Sequence, residues 1–128
     1  AMADALSDAR AIQLDAARVG IDWPDIGGAF ATLREEVEEL GQSIGAGSAT
    51  EQRNELGDVL FSAVNVSRFI GVDPADALDA ANRKFSARFA QVQREVRDAG
   101  KNMEHCSLDE LDAFWERSKA CTDDTARG

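Results

Sequence analysis

The stretch SATEQRNELGDVLFSAVNVSRFI, residues 48–70, decides the fold. Ser48-Ala49-Thr50-Glu51 reads as a capping box, the signature of a helix start. Leu56, Val59, Leu60, Phe61, Ala63, Val64, Val66, Phe69 and Ile70 then cover most of the circumference of one helix. Gly71 follows as the residue that ends it. A helix apolar nearly all round is buried on nearly all sides. Four or five helices of this size hardly enclose one completely, so a homodimer with this helix in its interface is expected.

The same helix carries one polar stripe: Glu55, Asp58, Ser62 and Asn65. Carboxylates placed in a core need pairing or metal coordination, because bare burial costs several kcal/mol. An ordinary ion pair with Arg34 or Arg53 is one reading of the stripe. A second acidic cluster, Glu35-Glu36-Val37-Glu38-Glu39, favours the other reading. It lies on a preceding helix, expected from about Ala29 to Ile44, whose seam is Phe30, Leu33, Val37, Leu40 and Ile44. On a helical wheel Glu36 and Glu39 share one flank of that seam, while Glu35 and Glu38 turn towards the other flank and solvent. A charge run alone usually means a solvated face. Two acid pairs spaced i, i+3 on successive helices are a different matter, because each pair shares a helix face. Four carboxylates around one small volume call for hard cations, and Mg²⁺ takes oxygen ligands and works together with substrate phosphates.

The remaining elements read as helices too. The first runs from about Ser7 to Val19 and is followed by a loop through Gly20-Ile21-Asp22-Trp23-Pro24 to Gly28. Asp73-Pro74 opens the fourth, with Ala77, Leu78, Ala81, Phe85, Phe89, Val92 and Val96 as its seam. Gly100 ends it. Ser107-Leu108-Asp109-Glu110 is a second capping box, opening a short fifth helix with Leu111, Phe114 and Trp115. There are two prolines and no tyrosine, and nowhere do β-branched residues alternate over a strand length. The expected fold is all-α, a four- to five-helix bundle in one domain over 1–121, with a disordered tail at 122–128. Ala1-Met2 reads as an expression scar before a natural start.

On the fourth helix Lys84 and Arg88 are four residues apart, about 40° on the wheel, on one flank of the Phe85 seam. That placement suits an anion gripped at the core edge, with Arg offering a planar fork to phosphate oxygens. Snorkelling along apolar groups suits it equally. Trp115 offers a face for stacking on a nucleobase, although packing is the commoner meaning of such a residue. Trp23 has the same two readings. His105, the only histidine, has no spaced partners and takes no role.

A net charge of −10 over 128 residues disfavours nucleic acids and anionic membranes as partners. No apolar run approaches the ~18 residues of a membrane span, and no signal peptide is visible. Cys106 and Cys121 are not in a C-x-x-C arrangement and read as free thiols of a reducing cytoplasm. There is no G-x-x-x-x-G-K-[ST] loop, no G-x-G-x-x-G and no Ser/His/Asp set, so any triphosphate binding has to come from metal and cationic side chains.

The pattern E-E-x-x-E followed by E-x-x-D, here Glu35-Glu36-x-x-Glu39 and Glu55-x-x-Asp58, resembles the signature of the all-α nucleoside triphosphate pyrophosphohydrolases. More closely, the chain resembles the C-terminal catalytic domain of the MazG family. The matching stretches are Gly20 to Pro24, Glu55 to Phe61, Gly71 to Pro74, Ala80 to Phe85 and Leu111 to Glu116, within about residues 7 to 119. The resemblance implies hydrolysis of nucleoside triphosphates to the monophosphate and pyrophosphate with Mg²⁺, or Mn²⁺ as substitute. It implies Glu36, Glu39, Glu55 and Asp58 as metal ligands, Lys84 and Arg88 as phosphate contacts and Trp115 as a nucleotide contact. Glu35 stands beside them as general base or as ligand of an additional metal. Related sequences often carry Lys four residues before Glu36, where this chain has Thr32. MazG proteins typically hold two such domains and this chain holds one. Two rivals stand beside the reading. One is a non-catalytic module that binds a nucleotide or a partner. The other is a relative specific for dCTP, dUTP or phosphoribosyl-ATP, which shares the four-carboxylate logic.

Overall fold

The structure, a computed structural model, describes residues 4–127, with side chains described as far as residue 120. These residues form five α-helices, α1 (Ala5–Arg18), α2 (Ile26–Ala46), α3 (Ala49–Phe69), α4 (Pro74–Asp98) and α5 (Leu108–Arg127), and a 3-10 turn at Met103–His105. No strand occurs among the described residues. The all-α reading holds. The chain divides into two compact units after Ala77.

The first unit contains α1 to α3. Helices α2 and α3 pack on each other along much of their length, and α1 packs on α3. The caps are as local chemistry dictates. Ser48 Oγ accepts from the Glu51 backbone N–H at 3.2 Å, one half of the expected capping box. Gly71 takes φ +71° after α3, a conformation that L side chains rarely adopt.

Two starts differ from the sequence expectation. Helix α1 is capped by Asp4 rather than Ser7: Asp4 Oδ1 accepts from the Leu6 N–H at 3.2 Å, and the Ser7 hydroxyl donates to Asp4 Oδ2 at 2.9 Å. Helix α2 begins at Ile26, not Ala29, because Asp25 accepts from the Gly27 N–H at 2.8 Å. In both places an aspartate carboxylate satisfies free N–H groups and meets the positive end of the helix dipole. Gly28 therefore lies in the first turn of α2, where a Cβ would stand only 2.7 Å from Trp23 Cε3. The absence of that Cβ lets the indole lie against the helix start.

Among the described residues the apolar circumference of α3 is only partly covered. Val64 is 2 % exposed, whereas Leu56, Leu60, Phe61 and Ile70 are about half exposed. Phe30, Val37 and Ile44 on α2 are also exposed. The buried residues of the two helices are small ones, Ala29, Ser43, Ser62 and Val64.

The second unit contains most of α4, the 3-10 turn and α5. Val92, Val96 and Phe114 form its core, with Met103, Cys106, Leu111 and Trp115 packed against it. Full burial of side chains of this kind is worth about 1.5–3 kcal/mol each. Upstream on the α4 seam, Leu78, Phe85 and Phe89 stay exposed. Gly100 reverses the chain with φ +73°. The second capping box closes from both sides: Ser107 Oγ accepts from the Glu110 N–H at 3.1 Å, and Glu110 Oε1 accepts from the Ser107 N–H at 3.3 Å. Glu110 also accepts from Lys101 Nζ at 2.5 Å, which draws the Glu110 carboxyl below its usual range. Cys106 is a free thiol. Helix α5 runs to Arg127, while the side chains of the expected tail, 122–128, and of Cys121 lie outside the described residues. No helix is long and apolar enough to cross a membrane among the described residues.

Candidate functional site

Glu36 and Glu39 stand one turn apart on α2, and Glu55 faces them from α3. One carboxylate oxygen from each of the three lies within 4.8 Å of the others. Glu36 and Glu55 are half-buried between the helices, and Glu39 is exposed. Three negative groups this close repel one another and lose water at the same time. The consequence is visible in Glu36, whose carboxyl is pushed up to about 7, first by burial and then by Glu39, Asp58 and Glu55. Glu55 is raised for the same reasons, burial first and Glu39 next.

The cluster is short of hydrogen-bond donors. Oε2 of Glu36 and Oε2 of Glu55 are buried with no partner among the described residues. Neither of the cations considered from sequence quenches them: Arg34 lies over the Phe30 ring at 5.3 Å, and Arg53 forms no ion pair among the described residues. Buried carboxylate oxygens with no donor are costly unless a cation meets them. An all-oxygen donor set of this kind fits a hard divalent ion such as Mg²⁺, Mn²⁺ or Ca²⁺.

Asp58, one turn beyond Glu55, is exposed and stands outside the trio, although its charge raises both Glu36 and Glu55. Glu35 turns to the other flank, as the wheel requires. It lines a shallow hollow of about 450 Å³ with Arg34, Glu38, Glu39 and Gln42. Glu39 thus borders both the cluster and this hollow.

Lys84, Arg88 and Trp115 belong to the second unit. Lys84 is exposed and Arg88, one turn on, is half-buried. Trp115 is half-buried, its ring 5.0 Å from that of Phe85 and tilted by 48°. The two rings help to line a hollow of about 330 Å³ with Phe89, Val92 and Leu111. Packing and an open aromatic face are therefore both present in Trp115.

Sequence reasoning missed a cavity in the first unit. It has a volume of about 420 Å³ and is lined by residues of α1, the following loop and α3, among them Gln13, Asp22, Trp23, Asn65 and Arg68. Gln13 is 5 % exposed, and its Nε2 donates to the Phe61 carbonyl at 2.9 Å. Trp23, read from sequence as a stacking or a packing residue with packing favoured, stands on the cavity wall. The available signals were the stacking reading of Trp23 and Asn65, the end of the polar stripe on α3. Asp22 and Arg68 are separated by 46 residues and meet only in the fold.

Residues 28–93 match the MazG nucleotide pyrophosphohydrolase domain. The chain is 43 % identical over 115 residues to a protein of Thermotoga maritima described as nucleoside triphosphate pyrophosphohydrolase/pyrophosphatase MazG. It is 33 % identical over 117 residues to the nucleoside triphosphate pyrophosphohydrolase of Escherichia coli. Each of these alignments covers 90 % of this chain but 44 % of the relative, so the chain spans less than half the length of the two proteins. An uncharacterized Bacillus subtilis protein, YabN, is 37 % identical over 65 residues.

Proposed function

Since the chain belongs to the MazG nucleotide pyrophosphohydrolase family, we propose that it hydrolyses nucleoside triphosphates to the monophosphate and pyrophosphate, with Mg²⁺ and with broad tolerance of the base. The observation that carries this reading is the convergence of Glu36, Glu39 and Glu55, with two buried oxygens that lack donors. Those three residues would hold the metal, with Asp58 as a fourth ligand from the exposed side. A bound divalent ion supplies charge neutralisation for the triphosphate and a lowered pKa for a coordinated water.

The chain's own residues do the rest. Glu35, on the hollow that Glu39 also borders, is carried from the sequence reading as general base or as ligand of an additional metal. Water adds at phosphorus, one phosphoanhydride bond breaks, and pyrophosphate leaves. Lys84 and Arg88 are carried as phosphate contacts and Trp115 as a nucleotide contact on the strength of the resemblance. Cations of this kind stabilise charge that builds on phosphoryl oxygens.

The test is pyrophosphate release from the eight standard ribo- and deoxyribonucleoside triphosphates. Release from several of them with Mg²⁺, and from none with chelator, is the expected result. Silence on all eight would turn the assignment first towards a modified or signalling nucleotide as substrate and then towards a non-catalytic nucleotide- or partner-binding module. Release from one alone would favour a relative specific for that nucleotide.

We also propose a homodimer through α3. The half-exposed Leu56, Leu60 and Phe61 support it, because contiguous apolar surface of this kind marks interaction sites. Sedimentation should give a particle near twice the 13.8 kDa of the chain. A monomer at micromolar concentration would reject it.

A further inference from the structure

In the cavity beside α3, Arg68 is 10 % exposed and spans two partners. Its Nη2 donates to Asp22 Oδ1 at 2.6 Å and its Nη1 to Asp22 Oδ2 at 3.3 Å. Its Nε and Nη2 also donate to Asn65 Oδ1, at 3.2 and 2.6 Å. The geometry explains why a largely buried guanidinium is tolerated, since Asp22 neutralises it and the two acceptors take most of its N–H groups. The same contact holds the Asp22 carboxyl below its usual range.

The consequence lies with Asn65. An asparagine amide can exchange its oxygen and nitrogen by a half-turn, and the hydrogen-bond network decides between them. Arg has donors only. The Asn65 oxygen must therefore face Arg68, and the NH₂ group faces away. That NH₂ has no partner among the described residues, and Asn65 lines a cavity whose walls include Ile12, Trp23 and Phe61. A donor of fixed orientation beside aromatic walls is the arrangement that reads the edge of a planar, stacked ring. The position fits as well: Asn65 lies seven residues beyond Asp58, roughly 10 Å along the helix axis. A nucleoside spans that distance when its phosphates sit at the carboxylates.

We propose that Arg68, held by Asp22, is a positioning residue that fixes the Asn65 amide as a donor to the base, and so sets which bases this chain prefers. The inference rests on the pyrophosphohydrolase reading above. Its chemistry is an acceptor on the base edge meeting the Asn65 NH₂, with the indole of Trp23 against the ring.

The test compares kcat/KM for CTP and UTP, whose edges interchange donor and acceptor at two adjacent positions. The wild-type ratio is expected to depart from one by about tenfold, the effect of roughly 1.4 kcal/mol. In Arg68→Met the amide is free to turn, and the ratio falls towards one through KM, with kcat little changed. In Asn65→Asp the donor becomes an acceptor, and the ratio crosses to the other side of one. A purely structural role for Arg68 would lower both substrates together and leave the ratio alone. Should Arg68→Met fail to fold, Arg68→Lys, which keeps the charge opposite Asp22 but not the two-sided fork, and Asn65→Asp carry the test. A wild-type ratio of one, or a ratio unchanged in the folded variants, overturns the proposal. If no triphosphate is hydrolysed, the pyrophosphohydrolase reading fails instead. The ratio is then read from CMP and UMP binding by calorimetry, with the same outcomes.

Discussion

Replacing Glu39 with glutamine is expected to lower kcat/KM for pyrophosphate release by roughly 10²–10³-fold, the usual scale for losing one group that stabilises developing charge. The metal-free protein should at the same time melt at a higher temperature than wild type. The two effects have one cause. Burial is the first cause of the raised Glu36 and Glu55 carboxyls, and Glu39 leads the neighbours that add to it, through hydrogen bonding and through charge. Glutamine keeps the shape and removes the charge, so Glu36 and Glu55 relax towards ordinary carboxyls. Folding gains from that relief, while the cation loses a ligand. Pyrophosphate release with saturating Mg²⁺ and a thermal melt in chelator read the two halves separately. Near-normal turnover would remove the cluster from the reaction. An unchanged or lower melting temperature would mean that repulsion in the cluster is already screened by water.

The second large effect is on pH and metal together. In the folded, metal-free chain Glu36 titrates near 7 and Glu55 above its ordinary value, whereas in the unfolded chain both titrate near 4.5. The folded state therefore holds protons that the unfolded state has lost, and its stability falls as pH rises through this window. The contribution is fully present below the unfolded value and is gone above the folded one. Asp22 and Glu110 act in the opposite sense. Their carboxyls are lowered by Arg68 and by Lys101, so their contributions are present above the ordinary range and vanish in stronger acid. Melting temperature in chelator should accordingly decline between about pH 5 and about pH 8. Mg²⁺ should restore it at the alkaline end and do little at the acid end, where protons occupy the same oxygens. Thermal melts across that range, with and without Mg²⁺, decide it. A flat profile in chelator, or equal stabilisation by Mg²⁺ at both ends, would contradict the picture of three crowded carboxylates.

Much of this was legible before any fold was known. The Ser48 cap and the full capping box at Ser107 form where their spacing puts them, because a cap is settled by residues within one turn. The Asp4 and Asp25 caps were missed, since Ser7 and the Gly27-Gly28 pair offered competing local signals. The wheel sets Glu36 and Glu39 on one flank and Glu35 towards the other, because side chains on one helix follow its fixed 100° step; in the fold Glu36 and Glu39 meet Glu55, and Glu39 also borders the hollow of Glu35.

Periodicity along single helices determined the helical content, the helix order and the faces on which the acid pairs stand. Only the packing of α2 on α3 decided that Glu55 joins Glu36 and Glu39 while Asp58 stays exposed. The same holds for the union of Asp22, Asn65 and Arg68 around one cavity. A repeat of 3.6 residues fixes angle and rise on one axis. It contains nothing about the offset and rotation between two axes, and those two quantities set every distance from one helix to the next.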